Sequence, residues 1–231
     1  MIVAVIQARM SSARLPGKVI MPLNGKPLLH YAVEAVSHAS RVGRVVVATS
    51  ARDDDSPVAA LCQRLGVSGV RGPLDDVAAR FLAVFDAHPA SGYVRINGDS
   101  PVIDPSVIDL VVARFEKDRP DLATNVFPRS FPKGMSVEVL DPTAYRAAYP
   151  RFVETADKEH VTRYHYYHPD EFRIANVESG SDAGAHDFTI DFPEQAVAME
   201  ALLRRMTKPS WSYGWRELVA LRAEAGASAG S

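Results

Sequence analysis

The segment Ile6 to Lys18, reading IQARMSSARLPGK, crowds Arg9, Arg14 and Lys18 among small, turn-forming residues. Ser11, Ser12 and Gly17 permit turns in which backbone N–H groups converge on phosphate oxygens. The two arginines add fork-like contacts and the lysine a point charge, and Pro16 fixes the path before Gly17. Together these residues can grip a polyphosphate. Cations alone also suit a solvated basic loop. Against that reading, the apolar, β-branched run MIVAVI stands immediately before them and delivers them to the rim of a sheet.

Two carboxylates stand at similar junctions. Asn97, Gly98, Asp99, Ser100 and Pro101 follow YVRI, where Gly98 allows close approach and Asp99 projects a hard oxygen ligand. Asp191 in FTIDFPE ends another short apolar run before Pro193 and a helix. One aspartate after a strand is commonly a turn or a helix cap. A pair of them at strand ends makes a cradle for Mg²⁺, which prefers oxygen and binds through one or two carboxylates plus substrate phosphates.

The stretch QARMSSARLPGKVIMPLNGKPLLHY resembles the opening motif of cytidylyltransferases that activate acidic sugars, including the spore-coat polysaccharide and 3-deoxy-manno-octulosonate types. RGPLDDVAARF, RINGDSPVIDPSVID, GMSVEVL, KEHVTRY and FTIDFPE are similar to further family blocks, in family order, so the resemblance covers nearly the whole chain. It implies Mg²⁺-dependent transfer of CMP from CTP to an acidic acceptor of the nonulosonate or octulosonate kind, with release of pyrophosphate. By resemblance, Asp99 and Asp191 match the metal-binding aspartates, and Lys18, Arg14 and Asp99 carry catalysis. Gln7, Ala8, Arg9, Ser11, Arg71, Asp76 and Asn97 join them in holding the nucleotide. Met135, Ser136, Glu138, His160 and Arg163 form the acceptor side. Two departures stand out: family members often have Asp at the place of Ser136, and Thr-Pro-Glu-Asp where this chain reads FPEQ. Other acceptors, phosphate or phosphonate, remain open. So do UTP or GTP with a sugar phosphate, and a non-catalytic nucleotide-binding scaffold.

Strand-like runs at Met1 to Ile6, Arg44 to Ala48 and Tyr93 to Ile96 alternate with helix-like stretches at Leu28 to Ser40, Ser56 to Leu65 and Val77 to Ala87. Such alternation predicts βαβ units and an α/β, Rossmann-like, mainly parallel sheet flanked by helices. Ligands then lie beyond the carboxyl ends of the strands, where the three motifs should converge. After Asp121 the pattern is mixed, with strands expected in DLATNVF and MSVEVL and helices over Pro142 to Tyr149, Asp157 to Tyr167 and Glu194 to Met206. The resemblance implies that residues 125–185 include a mixed α/β dimerisation arm. One domain is expected over 1–222, followed by a disordered tail, 223–231.

Composition narrows the rest. With 231 residues, 47% of them hydrophobic, the chain can bury a substantial core. A formal charge of -2 offers no global attraction to nucleic acid or acidic membranes, so anions must be bound by local cations. Cys62 is the only cysteine, which excludes an intrachain disulfide and multi-thiolate metal sites; its apolar-periodic setting predicts a core position. The His residues show no metal-ligand spacing. No apolar run reaches membrane-spanning length and no leader is evident, so a cytoplasmic protein is expected; the resemblance implies a homodimer.

Overall fold

The computed structural model describes residues 1–228, the side chains of 225–228 excepted. Its strands are β1 (Ile2–Gln7), β2 (Pro22–Leu23), β3 (Lys26–Pro27), β4 (Arg44–Ser50), β5 (Ser68–Gly72), β6 (Gly92–Asn97), β7 (Leu122–Thr124), β8 (Glu138–Leu140) and β9 (Ile174–Asn176). The helices are α1 (Leu28–Ser37), α2 (Ser56–Leu65), α3 (Val77–Ala87), α4 (Pro105–Asp118), α5 (Pro142–Ala148), α6 (Thr155–Glu159), α7 (Arg163–Tyr167), α8 (Pro193–Arg205) and α9 (Trp215–Ser228).

β2 and β3 pair as a small hairpin, and the other strands form a seven-stranded sheet in the order β5-β4-β1-β6-β8-β7-β9. The pairs among β5, β4, β1 and β6 are parallel, and β8 alone runs against its neighbours. The expected mainly parallel, helix-flanked sheet is present. Strand side chains alternate between its two faces. Ile2, Ala4, Ile6, Val94 and Ile96 meet α1, α2, α4, α8 and α9, while Val3, Val5, Val46, Ala48 and Tyr93 meet α3, α5 and α7. Each large apolar side chain so buried contributes roughly 1.5–3 kcal/mol. Rim ion pairs contribute about 0–1 kcal/mol each, so the buried strands hold the scaffold on which the rim residues stand.

Helix boundaries follow their capping chemistry. Asp76, Asp104 and Asp141 accept from backbone N–H groups in the first turns of α3, α4 and α5, and Gly66 ends α2 in the left-handed conformation. Asp55 stands at the N-cap position of α2 but makes no side-chain cap hydrogen bond there. It is buried and accepts from the N–H groups of Met10 at 2.6 Å and Ser50 at 3.0 Å, tying the loop after β1 to the end of β4.

Three expectations about elements change. The helix expected over Asp157 to Tyr167 is broken into α6 and α7, because Val161 turns fully into the core and His160 leaves helical geometry. Residues 125–185 do not stand apart, since β8 and β9 complete the main sheet. The segment expected as a tail is helical to Ser228; residues 229–231 lie outside those described. Cys62 is buried as expected, and burial pushes its thiol up to about 11, so it is inert. No helix among the described residues is long and apolar enough to cross a membrane.

His165 supplies an acid-sensitive point in this scaffold. It is wholly buried among the rings of Tyr145, Phe152 and Phe172, with no hydrogen-bond partner for either ring nitrogen. Burial pulls its pKa down to about 4, against weaker opposing pulls from Glu138 and Asp121. In the unfolded chain an imidazole titrates near ~6.5. The unfolded state therefore takes up a proton first as pH falls. Stability from this group is complete above that value and declines until about pH 4. Between pH 7 and pH 5 the wild type should lose roughly 1–2 kcal/mol more than a His165→Phe variant. Urea unfolding at both pH values measures the difference, and parallel losses in the two proteins would remove His165 from the account.

Candidate active site

Beyond the carboxyl ends of β1 and β6 the chain forms two adjoining cavities. The first, of about 410 Å³, is lined by Gln7 at the end of β1 and the segment after it (Ala8, Arg9, Ser12, Arg14, Lys18), by Val77 and Arg80 of α3, by Arg95, Asn97 and Asp99, and by Glu159, His160 and Asp191. The second, of about 510 Å³, is lined by Arg95, Asn97, Arg129, Ser136, Glu138, His160, Thr162, Arg163 and Tyr166, among others. Arg95, Asn97 and His160 belong to both, so they form a shared wall between two spaces that each suit a small molecule.

Backbone geometry puts the charged groups at this wall. Gly98 donates from its N–H to the Gln7 carbonyl at 2.9 Å. A Cβ there would lie 2.8 Å from that oxygen, so only glycine lets the end of β6 come this close to β1. Asp99 follows directly, and its carbonyl accepts from the Ile190 N–H at 3.1 Å, which docks the segment carrying Asp191 beside it. Gln195 reaches back from α8 and accepts from the N–H groups of Asp191 and Phe192 at 2.7 and 3.0 Å. The glutamine of FPEQ therefore caps the helix and leaves the Asp191 carboxylate free for the site.

Lys18 is the centre of the arrangement. Gly17, at φ 74°, turns the chain into a short 3-10 helix, and the Lys18 side chain enters between the two aspartates. Its ammonium donates to Asp99 Oδ2 at 2.8 Å, Asp191 Oδ1 at 2.8 Å and the Ile190 carbonyl at 2.7 Å. Arg14 pairs with Asp191 Oδ2 at 2.7 Å and lies over the Phe192 ring. Partial burial pushes the Asp191 carboxyl upward, but Lys18 and Arg14 outweigh it and hold the group below the ordinary carboxylate range. Arg9 bonds Glu159 at 2.9 Å at the other side of the mouth. These contacts keep cations and carboxylates together at one opening, where a bound phosphate chain would draw the cations to itself.

Several expected contacts fall elsewhere. Ser11 points to solvent and lines neither cavity; Ser12 lines the first. Arg71 is spent on the backbone, donating to the carbonyls of Ser50 at 3.0 Å and Arg52 at 2.5 Å. Asp76 caps α3 and accepts from the Tyr149 hydroxyl at 2.8 Å, and it lines neither cavity. Met135 is core: in the extended segment leading into β8 it turns inward with Val137, and its neighbour Ser136 turns outward. Glu138 does line the second cavity, but it is fully engaged, paired with Arg95 and accepting from Tyr166 at 2.5 Å. Burial alone would raise its pKa; Arg95 and the hydroxyls of Tyr166 and Thr162 prevail and keep it low. It serves as an internal counter-ion and has no capacity left to act as a base. His160 and Arg163 line the cavity, the latter paired with Asp157.

Arg80 and Arg95 line these cavities as well; the resemblance implied nucleotide contact for the segment Arg71 to Arg80 without singling out Arg80, and Arg95 was not expected. Arg95 donates to Gln7 Oε1 at 3.1 Å and Asn97 Oδ1 at 3.3 Å, which fixes both amides at the shared wall. Arg80 is only 2% exposed, and its Nε and Nη1 have no partner. Burial and neighbouring Arg9 pull its pKa down to about 10. A buried guanidinium left so underbonded is costly unless a ligand completes it. An Arg80→Met variant should bind CTP about ten- to hundredfold more weakly by calorimetry, the scale of a lost charge-assisted hydrogen bond. Unchanged affinity with raised thermal stability would make Arg80 a mere structural burden.

A family model described as cytidylyltransferase matches residues 3–213. The spore coat polysaccharide biosynthesis protein SpsF of Bacillus subtilis is 31% identical over 212 residues, covering 88% of this chain and 87% of that protein. A cytidylyltransferase structure from Leptospira borgpetersenii superposes with a TM-score of 0.93 at 25% identity, covering 98% of this chain and 95% of that one. The CMP:2-keto-3-deoxy-manno-octonic acid synthetase complexed with CTP shares the fold, with a TM-score of 0.67 at 19% identity over 88% of this chain and 98% of that one. The chain belongs to the cytidylyltransferase family, and it is a nucleotidyltransferase.

Proposed function

We propose that the chain transfers CMP from CTP to a small acidic acceptor, of the nonulosonate or octulosonate kind, with release of pyrophosphate. The observation that carries this reading is the pair of cavities joined at Arg95, Asn97 and His160: two substrates can meet there across one wall. In the first cavity, Arg9 and Arg14 bind the phosphate chain and Lys18 offsets charge on the leaving pyrophosphate. Asn97, Gln7 and Arg80 face the rest of the nucleotide. An acceptor hydroxyl entering from the second cavity would meet the α-phosphorus at the shared wall, with His160 placed to take its proton.

A divalent metal fits the residues present. Asp99, Asp191 and the Ile190 carbonyl aim three oxygens at one cationic point, here the Lys18 ammonium, and such oxygens suit Mg²⁺. When bound, the ion would screen the phosphate charge and orient the α-phosphate. The same reading carries a cytoplasmic homodimer, its contact formed from residues 125–185, where Val153 and Tyr167 are exposed apolar side chains. Sedimentation showing only monomer at micromolar concentration would overturn the dimer.

A pyrophosphate-release screen tests the reaction. CTP, UTP, GTP and ATP are each offered with acidic sugars, sugar phosphates and phosphonates. Turnover with CTP and a sugar acid is expected; turnover confined to UTP or GTP with a sugar phosphate would overturn the base and acceptor together.

A further inference from the structure

The second cavity holds a guanidinium with no ion-pair partner among the described residues. Arg129 donates through Nη2 to the neutral Ser136 hydroxyl at 3.0 Å, and its Nη1 is buried without a partner. Glu138, the one carboxylate among the described lining residues, is committed to Arg95 and Tyr166. Of the other two arginines in this lining, Arg95 has Glu138 and Arg163 has Asp157. Arg129 takes part in no ion pair among the described residues, although Lys133, four residues further on, pairs with Asp187. Buried charges are ordinarily paired, and a guanidinium presents a fork that matches a carboxylate or a phosphonate.

From this, resting on the two-substrate reading above, we infer that Arg129 anchors the acid group of the acceptor, with Ser136 as the neutral neighbour that leaves its charge available. A carboxylate at that position would pair with the guanidinium and weaken its hold on an anionic ligand. Arg129 lines only the second cavity, apart from the shared wall. The acid group it holds is thus distinct from the oxygen that attacks, which favours an acceptor bearing both an acid and a hydroxyl.

The test uses methylphosphonate and lactate as small anionic probes and methyl glucoside as a neutral one. Binding is followed by ligand-observed NMR with the first cavity filled by α,β-methylene-CTP. Both anions should bind the wild type and methyl glucoside should not. R129M should weaken the anions by roughly ten- to hundredfold, the worth of a charge-assisted contact, and S136D should do the same while keeping Arg129 in place. Anion affinity unchanged in R129M and S136D, or absent in the wild type, would overturn the assignment. A preference of Arg129-dependent binding for lactate or for methylphosphonate separates a carboxylate acceptor from a phosphonate. Failure of α,β-methylene-CTP to bind would strike at the cytidylyltransferase reading instead; the wild-type-minus-R129M difference without nucleotide then decides the Arg129 subsite by itself.

Discussion

An Asp99→Ala enzyme is expected to lose at least about a thousandfold in kcat/KM for CTP-dependent pyrophosphate release, the scale of removing a fixed charge from a site that stabilises a developing one. Stability should change far less. Asp99 is one of three acceptors of the Lys18 ammonium, and Asp191 and the Ile190 carbonyl remain at 2.8 and 2.7 Å. Its side chain is partly exposed, so the pair contributes only about 1 kcal/mol, a shift in Tm of ~2–4 °C for a chain of this size. Asp99→Asn separates charge from geometry, because the amide oxygen can still accept from Lys18 but carries no charge. It should be nearly as slow as Asp99→Ala. Turnover within tenfold of wild type in either variant would remove Asp99 from the reaction and return it to an internal partner of Lys18.

The residues that were legible in the sequence share one property: each stands where a buried run stops. β1 is apolar on both faces, so its end marks the rim and makes Arg9, Arg14 and Lys18 conspicuous. β6 does the same for Asp99, and Pro193 at the start of α8 marks the place of Asp191. Residues that enter the site from inside an element lack such a marker. Arg80 sits within VAARF among side chains that face the core, three residues after Val77, and only the helical period reveals that a cation lies on an apolar face. Arg95 likewise interrupts YVRI, which makes it a charge in a buried strand. Arg71 and Asp76 were expected as nucleotide contacts from the resemblance alone, yet turns consume such groups in backbone bonds and caps. Met135 was separable in principle, since alternation in MSVEVL sends Met135, Val137 and Val139 one way and Ser136 and Glu138 the other. β5 and β9 went unread because SGVRG and IAN are short and weakly apolar, and their strand geometry comes from pairing with β4 and β7.

Lys18→Met carries the second large effect and tests the site from the opposite direction. Removing the ammonium leaves Asp99 and Asp191 facing each other across a point with no cation, and leaves the Ile190 carbonyl without its donor. Loss of stability should reach roughly 1–3 kcal/mol, that of unsatisfied charged groups that keep some access to solvent. Activity should fall by about a thousandfold as well, since no remaining cation reaches the same position. What distinguishes this variant is its response to Mg²⁺ without nucleotide. In the wild type the ammonium already occupies the point at which three oxygens converge, and an added ion must displace it. In Lys18→Met that competition is gone, and of the two aspartates only Asp191 keeps a cationic partner, Arg14. Millimolar MgCl₂ should therefore raise the Tm of Lys18→Met by several degrees and that of the wild type by less. Equal shifts in both proteins would mean that the two aspartates do not share a cation, and that their meeting at Lys18 serves only to hold the loop after β1 against the segment that leads into α8.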